Sequence, residues 1–315
     1  MTRRNGFALL AALWLLVAFS VVGLSLSAVT HERRLAAANL VEHIQALAAA
    51  QAGIEQLRSR LARRLTLGQG LGGGSAAALV DPWHGVDSVL TDTVWLADAR
   101  YTVAARDVGA QLNLNRATED ELQRLFAALR IDAGEADRLA QCIMDWRDPD
   151  DLHRARGAER DAYLAAGAPV LPRNGPFQTL PELLGVLGMT PDVYDRVRPY
   201  LTLLGSGQVN LNSADRPVLL ALPGITEEAV AVLQQLRGDH RQLASVADLE
   251  RELSPGPRQA LERALPELLP QVTTEVREVA VESMGSLPGS PVVARVSGLL
   301  VRSGSTVFYV WSRAE

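Results

Sequence analysis

Phe7 to Val29 runs without one charged side chain, about the length of helix that a bilayer core requires. Arg3 and Arg4 precede it, which places the N-terminus on the cytoplasmic side by the positive-inside rule. From Leu35 to Leu61 the chain is rich in Ala, Leu, Gln and Glu, and Leu40, Ile44, Leu47, Ile54 and Leu57 recur at helical spacing. No proline occurs before Pro82, so nothing interrupts a helical hydrogen-bond ladder. The pattern predicts one long helix that starts in lipid, leaves it as an amphipathic rod and ends at the glycine-rich segment Gly68 to Ser75. A cleaved secretory signal is a competing reading, although its apolar core is shorter than this one. An ordinary membrane anchor is another.

The periodicity then changes. Val94-Trp95-Leu96 and Tyr101-Thr102-Val103-Ala104 are short, β-prone and bounded by polar residues. Three more apolar runs close the chain, Thr274 to Val281, Val292 to Val301 and Thr306 to Trp311, with Ser303-Gly304-Ser305 as the last hairpin turn. Between the two groups of strands the pattern is helical and carries an internal echo. Leu112-Asn113-Leu114-Asn115, with Ala117 after it, leads into a helix from Glu119 to Leu129; Val209-Asn210-Leu211-Asn212, with Ala214 after it, leads into another from about Pro217. An asparagine before a helix fits an N-cap, and two capped helices in one α-domain account for the echo.

The second copy continues through Leu222-Pro223-Gly224-Ile225 into a helix reaching Leu236. This has the form of a helix-hairpin-helix, which in DNA-binding proteins offers backbone amides to phosphate. The usual second glycine is replaced by Thr226, and Glu227 and Glu228 follow. From Gln208 to Pro270, nine acidic residues face six arginines, a poor phosphate surface. The hairpin therefore reads as a packing device. A membrane-tethered module that captures DNA is the alternative.

Composition adds restraint. The net charge is -5, every Lys-or-Arg position is Arg, and the single cysteine, Cys142, allows no internal disulfide. Cys142 lies in an apolar helical pattern with Leu139 and Ile143 and reads as a buried structural thiol. The five histidines are scattered, and no nucleophile elbow or phosphate-cradling loop appears. The chain reads as a non-enzyme; a tethered hydrolase built on its carboxylates is the competing idea.

Those carboxylates cluster. Asp145-Trp146-Arg147-Asp148-Pro149-Asp150-Asp151 ends an apolar helix, and Gly157-Ala158-Glu159-Arg160-Asp161 follows. Pro149 stops the helix and leaves several Asp side chains on a short loop. Hard oxygen ligands on a loop suit calcium, although the spacing is not that of an EF-hand. A solvated cap, or carboxylates paired with Arg147, Arg154 and Arg156, are the other readings.

Arg3-Arg4-Asn5-Gly6-Phe7, directly before the apolar run, resembles a prepilin leader cut between Gly6 and Phe7. That resemblance implies an N-methylated Phe7 in the mature chain. The glutamate usual at the fifth mature position is absent; Ala11 stands there. A carboxylate there is buried in lipid unless it pairs with the terminal amine of the subunit ahead, so its absence suits a subunit with nothing ahead of it.

Further matches run in one order along nearly the whole chain: Gly53-Ile54-Glu55, Leu112 to Asn115, Asp145 to Asp150, Gly157-Ala158-Glu159, Asn174-Gly175-Pro176-Phe177, Glu182-Leu183 with Gly188-Met189, and Val209 to Asn212. Together they resemble protein K of the type II (general) secretion pathway, a minor pseudopilin family. The resemblance implies an α+β, pilin-like fold: a long N-terminal helix and an antiparallel sheet, interrupted by a large all-α insert of helix-hairpin-helix or SAM-like type. The expected divisions are a leader at 1–6, the anchor helix at 7–65, sheet at 80–111, α-domain at 112–270 and sheet again at 271–315. The family further implies an inner-membrane protein with one span, a cytoplasmic N-terminus and a periplasmic body. Implied partners are I-type and J-type minor pseudopilins at a pseudopilus tip, the prepilin peptidase, other pseudopilins, and the secretin channel or cargo, with no nucleic acid. Calcium is the implied structural cofactor, carried over to Asp148, Asp150, Glu159 and Asp161.

Overall fold

A computed structural model describes residues 4–70, 81–88, 93–304 and 306–314, with the backbone alone at 4–9, 68–70 and 312. Helix α1 spans Arg4–Gly70 without a break. Among the described residues its lower part is uncovered: Leu13, Trp14, Phe19 and Leu24 are all more than half exposed. Among the described residues it is the one helix long and apolar enough to cross a membrane. Higher up, Ala46, Ala49, Ala50, Ile54, Leu57, Leu61 and Leu65 are buried, spaced so that they form one stripe.

A five-stranded antiparallel sheet covers that stripe. Its strands are β1 (Val94–Leu96), β2 (Ala99–Asp107), β7 (Glu278–Ser286), β8 (Val293–Ser303) and β9 (Thr306–Ala314), in the order β1-β2-β7-β8-β9. The helix crosses the sheet at glycines. A Cβ on Gly285 would stand 1.9 Å from the Ala46 carbonyl oxygen, and one on Gly53 would stand 2.5 Å from Ser283 Oγ. Only the missing side chains let backbone and sheet approach so closely. Trp83, wholly buried, closes the top of this core and donates its indole N–H to the Leu61 carbonyl at 3.2 Å.

The sequence stripe is thus divided in two. Ile54 and Leu57 lie under the sheet, whereas Leu40 and Ile44 are 60% and 56% exposed below it. The apolar face of the expected amphipathic rod is covered by the chain's own sheet from Ala46 upward and left bare below it. The strand expected from Thr274 begins instead at Glu278.

Between β2 and β7 the chain makes a helical insert. In order it contains β3 (Leu112–Asn113), α2 (Glu119–Ala128), α3 (Ala133–Arg147), α4 (Arg160–Ala165), α5 (Pro191–Val197), β4 (Leu201–Thr202), β5 (Val209–Asn210), α6 (Arg216–Ala221), α7 (Glu227–Gly238), α8 (Val246–Glu252), α9 (Pro255–Leu268) and β6 (Val272–Thr273). Buried side chains of the insert form one cluster running from Leu112 to Val272, and those of α1 and the sheet form a separate one. The insert therefore holds its own core. Polar groups join the two bodies: Asn210 Nδ2 donates to the buried Asp107 Oδ2 at 2.7 Å, and the Asp81 N–H donates to Gln242 Oε1 at 3.0 Å.

Candidate functional site

The insert is a duplication. β3 pairs in parallel with β4, and β5 pairs in parallel with β6. In each half the first Asn of the motif accepts from the backbone N–H two residues on, at 3.0 Å (Asn113 from Asn115, Asn210 from Asn212). The second Asn reads a returning segment with both ends of its amide. Asn115 donates to Phe177 O at 2.9 Å and accepts from Phe177 N–H at 2.8 Å; Asn212 donates to Leu243 O and accepts from Leu243 N–H, each at 2.9 Å. Just after these returning residues, Thr179 with Glu182 and Ser245 with Asp248 form matching capping boxes.

The asparagines are not N-caps, contrary to the sequence reading. Thr118 and Asp215 take those positions, because the Asn amides are already engaged with backbone. The helix-hairpin-helix turn is likewise spent on packing. Gly224, at φ +73°, lies so close to α9 that a Cβ would stand 2.5 Å from Ala264 Cβ. Thr226 meanwhile caps α7 through the Ala229 amide at 3.3 Å.

The two halves differ in one place. After α7 the chain reaches Leu243 almost at once, whereas after α3 it makes an excursion from Asp148 to Pro176 before returning at Phe177. The acidic loop is that excursion. Asp145, on the last turn of α3, is wholly buried. Its carboxylate accepts from Arg154 N–H at 3.1 Å and from Arg154 Nη1 at 2.5 Å, and the same Nη1 reaches Asp148 Oδ2 at 2.6 Å. Gly157 makes room for it, since a Cβ there would fall 1.8 Å from Asp145 Oδ2.

Glu159 is 6% exposed, and neither of its carboxylate oxygens has a hydrogen-bond partner; Asp148 Oδ1 is buried and unpartnered as well. Burial, and then Asp145, Asp148, Asp151 and Asp150, push the Glu159 carboxyl up to about 7. Asp150 is exposed, and its carboxylate caps the Leu152 amide at 2.9 Å. Asp151 accepts from Asn174 Nδ2 at 2.9 Å. Asp161 lies on the exposed first turn of α4.

Of the four carried-over residues, the loop therefore gathers Asp148, Asp150 and Glu159. It adds Asp145 and Asp151, and it points Asp161 to solvent. Among the described residues, no three carboxylate, imidazole or thiol groups converge closely enough to hold a metal ion in this conformation. The donor chemistry nevertheless fits a hard cation, because buried carboxylate oxygens without partners are what such an ion satisfies. Arg154 pairs with the carboxylates as one alternative reading had it. Arg147 instead holds the Leu114 and Ala117 carbonyls, and Arg156 pairs with Asp137 at 3.3 Å.

Cys142 is buried, with its thiol pushed up to about 11 by burial, as for an unreactive packing residue. Beside the acidic loop, Trp146, Pro169, Val170, Leu171 and Leu184 line an open cavity of about 590 Å³. Its walls are mainly apolar, with the Arg173–Glu182 ion pair, at 3.5 Å, among the lining residues. The helical backbone of α1 includes Gly6 and Phe7; their side chains lie outside the described residues.

A sheet wrapped on the upper half of a protruding apolar N-terminal helix defines a pilin-like fold, and the protruding half fits a single membrane span. The crystal structure of the GspK-GspI-GspJ complex from the enterotoxigenic Escherichia coli type 2 secretion system contains a chain of this fold. It matches with a TM-score of 0.66 and 20% identity, over 91% of this chain and 99% of that one. Residues 96–206, which include β2 and the acidic loop, match the model of the family "Type II secretion system (T2SS), protein K". The putative type II secretion system protein K of Escherichia coli K12 is 32% identical over 132 residues, 38% of this chain and 40% of that protein. Protein K of Klebsiella pneumoniae is 35% identical over 102 residues, 31% of each chain. The matched part thus spans well under half the length of these relatives.

Proposed function

We propose that this chain is a minor pseudopilin of a type II secretion system that caps the pseudopilus tip with I-type and J-type partners and primes its assembly. The observation that carries the reading is the uncovered neck of α1. Leu35, Leu40, Val41 and Ile44 are each more than half exposed between the membrane segment and the sheet. A stripe of this kind in water is costly to leave bare, and neighbouring pilin-like helices are of the shape to cover it. The crystal complex that holds the related GspK also holds GspI and GspJ, which supports partners of those two types. The helical insert, with its own core, is bulky enough to obstruct another subunit above it.

In this reading the prepilin peptidase cuts between Gly6 and Phe7, the segment from Phe7 to Val29 anchors the subunit in the inner membrane, and the body is periplasmic. Assembly rests on apolar burial and requires no catalytic residue. Calcium bound by the acidic loop would neutralise its carboxylates and give the Glu159 and Asp148 oxygens the partner they lack, fixing the loop as a structural lobe.

The test is co-purification of the full chain with the I-type and J-type subunits of its own secretion system from detergent-solubilised membranes. Both partners should be retained by the wild type and lost from the double variant Leu40→Asp, Ile44→Asp. Failure of the wild type to retain either partner would overturn the proposal.

A further inference from the structure

We propose that Arg154 is a resident counter-cation of the acidic loop, and that a calcium ion enters by displacing its guanidinium from Asp145 and Asp148. The proposal rests on the calcium reading of this loop and extends it to a residue of opposite charge.

A single nitrogen, Arg154 Nη1, stands 2.5 Å from Asp145 Oδ1 and 2.6 Å from Asp148 Oδ2. Two carboxylates on one charged nitrogen is the arrangement a metal ion makes, with the protein supplying the cation. Asp145 has no exposed side-chain surface, so a net charge there is costly unless something cationic faces it. The guanidinium meets that need only in part. Asp148 Oδ1 and both oxygens of Glu159 remain buried without a partner. Only one guanidinium touches a group of at least three carboxylates, while Arg147, which also interacts with Asp148 electrostatically, is spent on backbone carbonyls. A divalent ion matches the oxygen count and the charge better than a planar monocation of fixed hydrogen directions.

Arg154 also has somewhere to go. Its side chain is 30% exposed, and its Nε already lies 3.7 Å from Glu119 Oε2 on α2. Pairing with Glu119 instead of the two aspartates would keep the charge partnered while the carboxylates are released. The backbone N–H of Arg154 would go on holding Asp145, so the loop need not unfold as the side chain leaves. The carboxylates would thus be shielded from one another before the ion arrives, and a monovalent ion would gain too little to displace a tethered arginine.

The test is calorimetric titration of calcium chloride into the full-length protein in detergent, in chelator-stripped buffer. The wild type is compared with Arg154→Gln, with Arg154→Lys as the milder variant that keeps the charge but loses the fork. The proposal predicts calcium binding about tenfold tighter in Arg154→Gln, with Arg154→Lys between it and the wild type. Equal or weaker binding in both variants, with the wild type still binding, would overturn the role of Arg154 and leave the cation reading standing. No binding by any of the three would overturn both.

Footprinting of the wild type keeps the test independent of variant folding. Phenylglyoxal modification of Arg154, mapped by mass spectrometry, should rise severalfold on adding calcium while Arg147 stays protected. Unchanged protection of Arg154 in protein that binds calcium would contradict the displacement.

Discussion

Arg237 repeats in the second half of the helical insert the contacts that Arg147 makes in the first. Arg237 donates to the Leu211 carbonyl at 2.8 Å and the Ala214 carbonyl at 2.7 Å; Arg147 donates to the Leu114 and Ala117 carbonyls. Each guanidinium ties the last turns of a helix to the start of the Asn motif in its own half. Burial lowers the pKa of both arginines, yet guanidinium is basic enough to stay charged. Arg237→Met should leave two carbonyls unsatisfied and cost about 3 kcal/mol, with Arg147→Met costing a similar amount. Denaturant unfolding followed by tryptophan fluorescence measures this; a change below about 0.5 kcal/mol in either variant would contradict the duplicated role.

Gly157 predicts a sharper local effect. A methyl there must displace Asp145 or the backbone around Arg154. Gly157→Ala should destabilise the insert by about 2 kcal/mol and weaken calcium binding. Retained stability together with unchanged calcium affinity would show that the carboxylate has room the structure does not give it.

Glu159 sets a pH dependence. Its carboxyl rises from an ordinary 4.5 to about 7 on folding. A group whose pKa is raised in the folded state contributes stability that is complete below the unfolded value and is lost as pH rises through the folded one. In chelator, the wild type should therefore lose stability between about pH 4.5 and pH 7, by at most about 3 kcal/mol at 1.36 kcal/mol per unit. Glu159→Gln should remove that slope and be the more stable protein at pH 8. Parallel profiles for the two proteins would contradict this environment for Glu159.

The crossing of α1 over the sheet supplies a fourth test. Gly285→Val would push a side chain into the Ala46 carbonyl and should cost 3 kcal/mol or more, roughly the upper range for overpacking. Limited proteolysis should then cut within β7 to β9 while the insert, with its separate core, survives. Uniform digestion of both bodies would argue against two separate cores.

The large-scale plan was legible because hydropathy period changes with element. The unbroken apolar run, the β-prone runs at either end and the helical middle gave α1, the sheet strands and the insert in order. The face of α1 was not legible in the same way. Leu40 and Leu57 have the same chemistry and spacing, and only the distant strands β2, β7 and β8 decide that one is covered and the other bare.

At the acidic loop, the sequence placed Asp148, Asp150 and Glu159 together. It gave no sign that Asp145 would be buried, since a helix-terminal Asp is ordinarily solvated, nor that Asp161 would face outward on α4. The duplication was visible as an echo of Asn motifs. Its meaning was hidden, because the Asn partners Phe177 and Leu243 lie far along the chain. Arg237 carried no signal in a sequence where every Lys-or-Arg position is Arg, and Arg147 was legible only as a carboxylate partner, not as the holder of backbone carbonyls.

The central claim, a processed pilin-like subunit held in the membrane by α1, is tested most directly by intact mass and N-terminal sequencing. The protein would be extracted from membranes of cells with and without prepilin peptidase. The account predicts a mature chain that begins at N-methylated Phe7 only where the peptidase is present. A chain that keeps Arg3 and Arg4 in both strains would contradict it.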